Sequence, residues 1–177
     1  MLKNISITLA AFFAITIIMG FVLPSDYDVK RSIEIDASPE QIHKIVGDLK
    51  QWSKWTPWQK SDPNTKIEIG EISQGIGASQ KWVGNKSGQL KITRSSEDYG
   101  VDYDLSFSGE GALTKSSITY LPAGTKTTVS WNMVGEMPIP VIGAYVALIM
   151  DSISGPTLEM GLKNLKGIVE ESKHTQD

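Results

Sequence analysis

Val101-Asp102-Tyr103-Asp104-Leu105-Ser106-Phe107-Ser108 alternates apolar and polar residues without a break. Successive side chains of a strand point to opposite faces, so this period of two marks a half-buried β-strand. The same reading extends to both sides. Upstream, residues 66–72 alternate through Ile67 and Ile69, residues 78–83 put Gln80 and Trp82 on one face, and residues 89–94 carry Leu90 and Ile92, with Arg94 continuing that face. Downstream, residues 112–121 and 125–134 continue the run, with Val129, Trp131 and Met133 on one face. Asn85-Lys86-Ser87-Gly88 and Pro122-Ala123-Gly124 have the composition of turns between successive strands. No helical period intervenes, so the middle of the chain reads as an antiparallel meander rather than as βαβ units.

The flanks differ. Val29, Ile33, Ile35 and Ala37 alternate with Lys30, Ser32, Glu34 and Asp36, an opening strand broken only by Arg31. Ala37-Ser38-Pro39-Glu40 then reads as a helix start, with Ser38 as N-cap and Pro39 at the first helical position. Ile42, Ile45, Val46 and Leu49 fall on one face of that helix. Trp52, Trp55 and Trp58, three apart, share a face of a helical turn that Pro57 keeps short. Residues 137–140 form a Pro-containing break and residues 141–150 are strongly apolar. Gly155-Pro156 suits the start of a second helix, along which Leu158, Leu162, Leu165 and Val169 recur at helical spacing. Glu159–Lys163 and Lys166–Glu170, four apart, are expected on its solvent face. Residues 172–177 are expected to fray.

Residues 5–23, ISITLAAFFAITIIMGFVL, carry no charge. As a helix they span about 28 Å, close to the hydrocarbon core of a bilayer. An uncleaved anchor is the leading reading. A cleaved signal peptide is the alternative, although the stretch exceeds a usual apolar core and Gly20 is a poor cleavage position. Lys3 precedes the span and Lys30 and Arg31 follow it, so basic residues are balanced. The short amino-terminal tail before a large domain favours a single-pass protein with its domain on the outer, extracytoplasmic side. The expected organisation is an anchor over residues 1–26, a domain over residues 27–172 and a tail over residues 173–177.

Composition narrows the function classes. The chain has 177 residues, with 17 Lys and Arg against 20 Asp and Glu, a formal net charge of -3. Such a balance argues against binding a nucleic-acid backbone. The absence of cysteine excludes disulfides, thiolate catalysis and thiolate metal centres. With His43 and His174 as the two histidines, a multi-histidine metal site is excluded too, and neither a metal nor a cofactor is expected. Gly75-Ile76-Gly77 superficially resembles a phosphate loop, but a strand follows where a helix N-terminus is needed, so it reads as a tight turn. Asp102 and Asp104 stand two apart like a catalytic carboxylate pair, yet their alternation with Tyr103 puts them on a solvated strand face. His43 lies off the apolar stripe of its helix and has no catalytic partner nearby in sequence. Asn85-Lys86-Ser87 is a glycosylation sequon that matters only in a eukaryotic secretory pathway. The five tryptophans, Trp52, Trp55, Trp58, Trp82 and Trp131, fit either a filled core or the wall of an apolar cavity.

The order of elements resembles the START-like helix-grip fold, an α+β architecture. Residues 27–36 followed by Ala37-Ser38-Pro39-Glu40, the Trp52/Trp55/Pro57/Trp58 cluster, the glycine hairpin of residues 75–82 with Gly84-Asn85-Lys86-Ser87-Gly88, and Gly155-Pro156 with Gly161-Leu162-Lys163-Asn164-Leu165-Lys166 are similar to the SRPBCC superfamily, of the polyketide cyclase/dehydrase type. The resemblance implies a curved antiparallel sheet around a long C-terminal helix with an apolar cavity between them. Members bind lipids, sterols, polyketides or aromatics, and a minority are cyclases or hydratases. No universal catalytic motif is carried over, so no catalytic residue is assigned. The resulting expectation is a membrane-tethered domain that binds a hydrophobic or amphipathic small molecule. Its wall would be Trp82, Tyr103, Leu105, Phe107, Trp131, Met133, Leu158, Gly161 and Leu162, with Gly161 leaving room for ligand. Gln80 and Arg94 are candidate polar pocket residues, beside Tyr103 and Asn132. The alternatives are a cyclase/dehydratase-like enzyme and a protein-interaction module with a filled core. The sequence does not give an oligomeric state.

Overall fold

The computed structural model describes residues 2–58, 64–85, 87–108 and 113–174. Lys86 of the sequon, Ala112 and the last three residues of the expected tail lie outside the described residues. Helix α1 (Leu2–Val22) leads into strand β1 (Asp26–Ile35). Ser38 caps α2 (Pro39–Val46): its hydroxyl accepts from the Gln41 amide and the Gln41 side chain accepts from the Ser38 amide. Asp48 caps α3 (Leu49–Trp55) by accepting from the Lys50 amide, and Thr56 ends that helix in extended backbone before Pro57. The meander follows as β2 (Lys66–Ile69), β3 (Ser79–Val83), β4 (Gly88–Ser96), β5 (Gly100–Phe107), β6 (Leu113–Ala123) and β7 (Lys126–Glu136), and α4 (Ile142–His174) closes the chain.

The seven strands form one antiparallel sheet in the order β1-β7-β6-β5-β4-β3-β2. The opening strand therefore pairs with the last one, from Asp26 opposite Glu136 to Ile35 opposite Thr127. Gly75 and Gly77 take φ of 75° and 89° in the turn before β3, a region that favours glycine. Gly100 starts β5 at φ 114°, and a Cβ there would collide with the Ile118 carbonyl oxygen of β6. The apolar rows of the strands meet α2, α3 and α4 in one core. Ile35, Ile42, Leu49, Ile92, Ile118 and Leu162 are among its fully buried side chains.

The two expected C-terminal helices are one helix, with Pro156 in its interior. Proline offers no N–H to the Ser152 carbonyl, which ordinarily breaks a helix. Here Arg31 braces both sides of the defect. Its guanidinium pairs with both carboxylate oxygens of Asp151 at 2.7 and 2.9 Å and with Glu159 at 3.0 Å, one turn before and one turn after the proline. Gly155 makes room, since a Cβ there would fall on the guanidinium. This contact explains why Arg31 interrupts the apolar row of β1. It also draws Glu159 away from the expected pairing with Lys163, whereas Lys166 and Glu170 do pair, at 3.5 Å.

Candidate functional site

The inner face of the sheet is lined with aromatics because β5 and β7 each place large side chains at alternate positions beneath α3 and α4. Tyr103, Leu105, Trp131, Met133, Leu158 and Leu162 join one buried cluster, and Trp82 and Phe107 pack on it partly exposed. Trp131 is fully buried and donates its indole N–H to the Tyr103 hydroxyl at 2.8 Å. Burial pushes the Tyr103 phenol well above its ordinary range, so the hydroxyl stays protonated at neutral pH. Trp55 and Trp58 close on Trp131 from α3 and the turn after it, with ring centroids 5.2 and 6.0 Å away, and Trp52 lies edge-on to Tyr103 at 5.2 Å. Such edge-to-face contacts add to the apolar area that these rings bury.

Gly161 corrects one expectation. A Cβ on Gly161 would stand 2.5 Å from Trp131 Cζ3 and 3.5 Å from Pro57 Cδ. The missing side chain is thus filled by the Trp131 ring and leaves no room for a ligand there. Polar groups sort by face. Gln80 is buried on the inner face, beside the row that holds Trp82. Arg94 is not: the register of β4 against β5 shifts between Ile92 and Arg94, so Arg94 stands opposite Asp102 on the outer face. There its guanidinium lies 3.5 Å from the Tyr99 ring centroid, and the Tyr99 hydroxyl donates to Asp102. A bulge inserts one residue and thereby flips every later side chain, which alternation alone does not reveal. Asn132 alternates with the buried Trp131 and Met133 and also belongs to the outer face. The indole N–H of Trp55 is buried without a hydrogen-bond partner among the described residues, a free donor inside the aromatic cluster.

Sequence reasoning missed a second grouping. His43 is half-buried, with Nδ1 3.3 Å from the Tyr120 hydroxyl and Nε2 3.2 Å from the Ser95 hydroxyl. These partners lie 77 and 52 residues away in sequence, so no local pattern announces them. Desolvation holds the imidazole pKa below its ordinary value, against the opposing charge of Glu97. The group borders an open depression of about 410 Å³ lined also by Lys44, Asp48 and Gln74. Both ring nitrogens are engaged by neutral hydroxyls, since burial raises the Tyr120 phenol far above neutrality. The imidazole therefore ties α2 to the sheet, without the orienting carboxylate of an activated Ser–His pair. A further depression of about 540 Å³, lined by Glu68, Ile69, Gly70 and Lys81 among others, lies at the β2 edge.

Residues 27–170 match the sequence model of a family described as polyketide cyclase / dehydrase and lipid transport. The chain belongs to that family. Solved structures agree on the START-like, Bet v 1-like fold. Norcoclaurine synthase from Thalictrum flavum, in complex with dopamine and hydroxybenzaldehyde, is 15% identical, with a TM-score of 0.62 over 87% of this chain and 92% of that one. The protein TTHA0849 from Thermus thermophilus is 18% identical, with a TM-score of 0.63 over 82% and 98%. Ara h 8.0201 is 15% identical, with a TM-score of 0.58 over 82% and 99%. No curated protein matches the sequence. At such identities the structural likenesses carry the fold alone. Outside the matched residues lies α1, whose residues Asn4–Val22 are long and apolar enough to cross a membrane.

Proposed function

We propose that this family member is a membrane-tethered binding protein for a hydrophobic or amphipathic small molecule, taken up at the inner face of its sheet. The observation that carries the reading is the Trp82–Phe107 pair. These rings stand 5.8 Å apart and stay partly exposed on the face where Tyr103 and Trp131 are closed off. Trp82 lies over Gly88, where a Cβ would strike its ring, so the indole rests on the sheet like a shelf. Buried Gln80 on the same face supplies a polar contact. Tyr103, Leu105, Trp131, Met133, Leu158 and Leu162 form the floor. In this reading residues 1–26 are the anchor, and residues 27–172 are the binding domain on the outer side of the membrane.

The test is titration of the full-length chain in detergent micelles with a fluorescent fatty acid. Binding should quench tryptophan emission. Trp82→Ala and Phe107→Ala should each weaken it by about 3–10-fold, the equivalent of losing one aromatic contact. If the probe does not bind, or binds both variants unchanged, the inner face is a filled core and the interaction-module reading replaces this one. Tethering is tested separately: full-length protein should stay with membranes through an alkaline wash. Recovery of a shortened, free form would instead show a cleaved signal peptide.

A further inference from the structure

Helix α4 is apolar on two opposite sides. One side carries Leu158, Leu162, Leu165 and Val169 into the core. On the other, Ile142, Ile149, Ile153 and Met160 recur at helical spacing and face outward, exposed by 60, 52, 54 and 51%. Leu148 beside them is 62% exposed. The outward stripe then changes character abruptly, continuing as Lys163, Gly167 and Glu171. No charged residue occurs from Met137 to Met150. A soluble surface rarely keeps such a row of large apolar side chains without a use for it.

The apolar end of α4 is also where α1 meets the domain. The Tyr145 hydroxyl donates to the Thr16 carbonyl at 2.6 Å, and a Cβ on Gly20 would stand 2.7 Å from Val141 Cγ1. Val141, a β-branched residue, holds φ 65° at this junction, a strained conformation that keeps its side chain against Gly20. Thr16 and Gly20 stand six and two residues before the end of α1 at Val22. At the helical rise this is about 9 and 3 Å. Apolar faces of helices lying in a membrane interface sink about 5–10 Å, a range that the Thr16 contact reaches.

We propose that the outward stripe of α4 rests in the lipid bilayer beside α1, so that the domain lies against the membrane surface instead of hanging from it. This proposal rests on the anchor reading given above. The occupant is lipid because the stripe begins beside the membrane-length helix, to which α4 is hydrogen-bonded through Tyr145. The attraction is apolar, since no basic residue lies between Met137 and Leu162 to draw anionic headgroups, and the two acids there, Asp151 and Glu159, are both paired with Arg31. Docking in this way places the α4 side of the binding domain next to the pool from which a lipid-soluble ligand is drawn.

The chain has no cysteine, so single labels are unambiguous. Full-length Ile149→Cys, Ile153→Cys, Phe12→Cys and Leu121→Cys variants are labelled with an environment-sensitive fluorophore and reconstituted in phosphatidylcholine vesicles. Brominated lipid should quench the labels at positions 149, 153 and 12, and aqueous iodide should quench the label at position 121. Added salt should leave the pattern unchanged. If position 12 is in lipid while 149 and 153 are quenched by iodide, docking is overturned and the anchor stands. If position 12 is itself quenched by iodide, anchor and docking fall together. If 149 and 153 are shielded from both quenchers, a second copy of the chain covers the stripe and the lipid assignment is wrong.

Discussion

Two glycines of α4 should respond to the same substitution with opposite signs. Gly161 and Gly167 both sit inside a helix, where exchanging glycine for alanine ordinarily stabilises by about 1 kcal/mol. At Gly167 a Cβ meets nothing within 4 Å, so Gly167→Ala should deliver that gain. At Gly161 the Cβ arrives 2.5 Å from Trp131 Cζ3, about 1 Å inside ordinary contact. The ring has nowhere to retreat: it is fully buried, wedged against Trp55 and Trp58, and tethered by its N–H to Tyr103. Overpacking of this kind costs about 1–3 kcal/mol. Gly161→Ala should therefore be neutral to destabilising by about 2 kcal/mol once the helix gain is subtracted, and should fall below Gly167→Ala by about 1–3 kcal/mol. Denaturant unfolding in detergent, followed by tryptophan emission, measures both. If Gly161→Ala is stabilised as much as Gly167→Ala, then Trp131 slides into free space and the inner face is not packed as described.

Leu162→Ala should destabilise by about 2–5 kcal/mol, because the side chain is almost fully buried and its neighbours are held by the sheet; a loss under about 1 kcal/mol would show α4 to be loosely attached. Gly155→Ala should lower the denaturation midpoint by displacing the Arg31 guanidinium, and should instead raise it by the ordinary helix gain in an Arg31→Ala background; additive effects would mean that the ion pairs do not brace the proline turn. His43 gives a pH test. Its folded pKa is depressed by desolvation, so the unfolded chain binds the proton more readily. Its contribution to stability is complete above the unfolded value near 6.5 and is lost as pH falls from there through the folded pKa. Relative to His43→Asn, the parent should lose stability between neutral and mildly acidic pH, and identical pH profiles would contradict the buried environment assigned to the ring.

Most of the fold was legible because its signals are local. Alternation in residues 101–108 marked β5, Ser38 and Pro39 marked α2, and the Leu158–Leu162–Leu165–Val169 period marked the closing helix. Where the reading went astray, a distant residue decided the outcome. Pro156 argues for a helix boundary by every local rule, yet the helix continues through it with Arg31, more than 100 residues earlier, braced against both flanking turns. Arg31 itself was visible only as an irregularity in β1. Arg94 was misplaced because a one-residue bulge carries no composition signal of its own.

The site was less legible than the fold, for a reason that concerns apolar residues in general. Periodicity says which side chains share a face but not what that face meets. Trp131 and Gly161 were both placed at the inner face, and both are there, but the empty volume of one is occupied by the ring of the other. The reverse happens on α4. Residues 141–150 are uniformly apolar in sequence, which ordinarily means burial on all sides. In the structure only Ala144, Ala147 and Met150 of that stretch are buried hydrophobics, while Ile142, Leu148 and Ile149 face outward next to the membrane-length helix. Two of those three buried residues are alanines, whereas three large aliphatic side chains are turned away. A helix optimised for core packing alone would place its bulk inward, and the outward placement of Ile142, Leu148 and Ile149 is what the proposed docking of α4 on the bilayer accounts for.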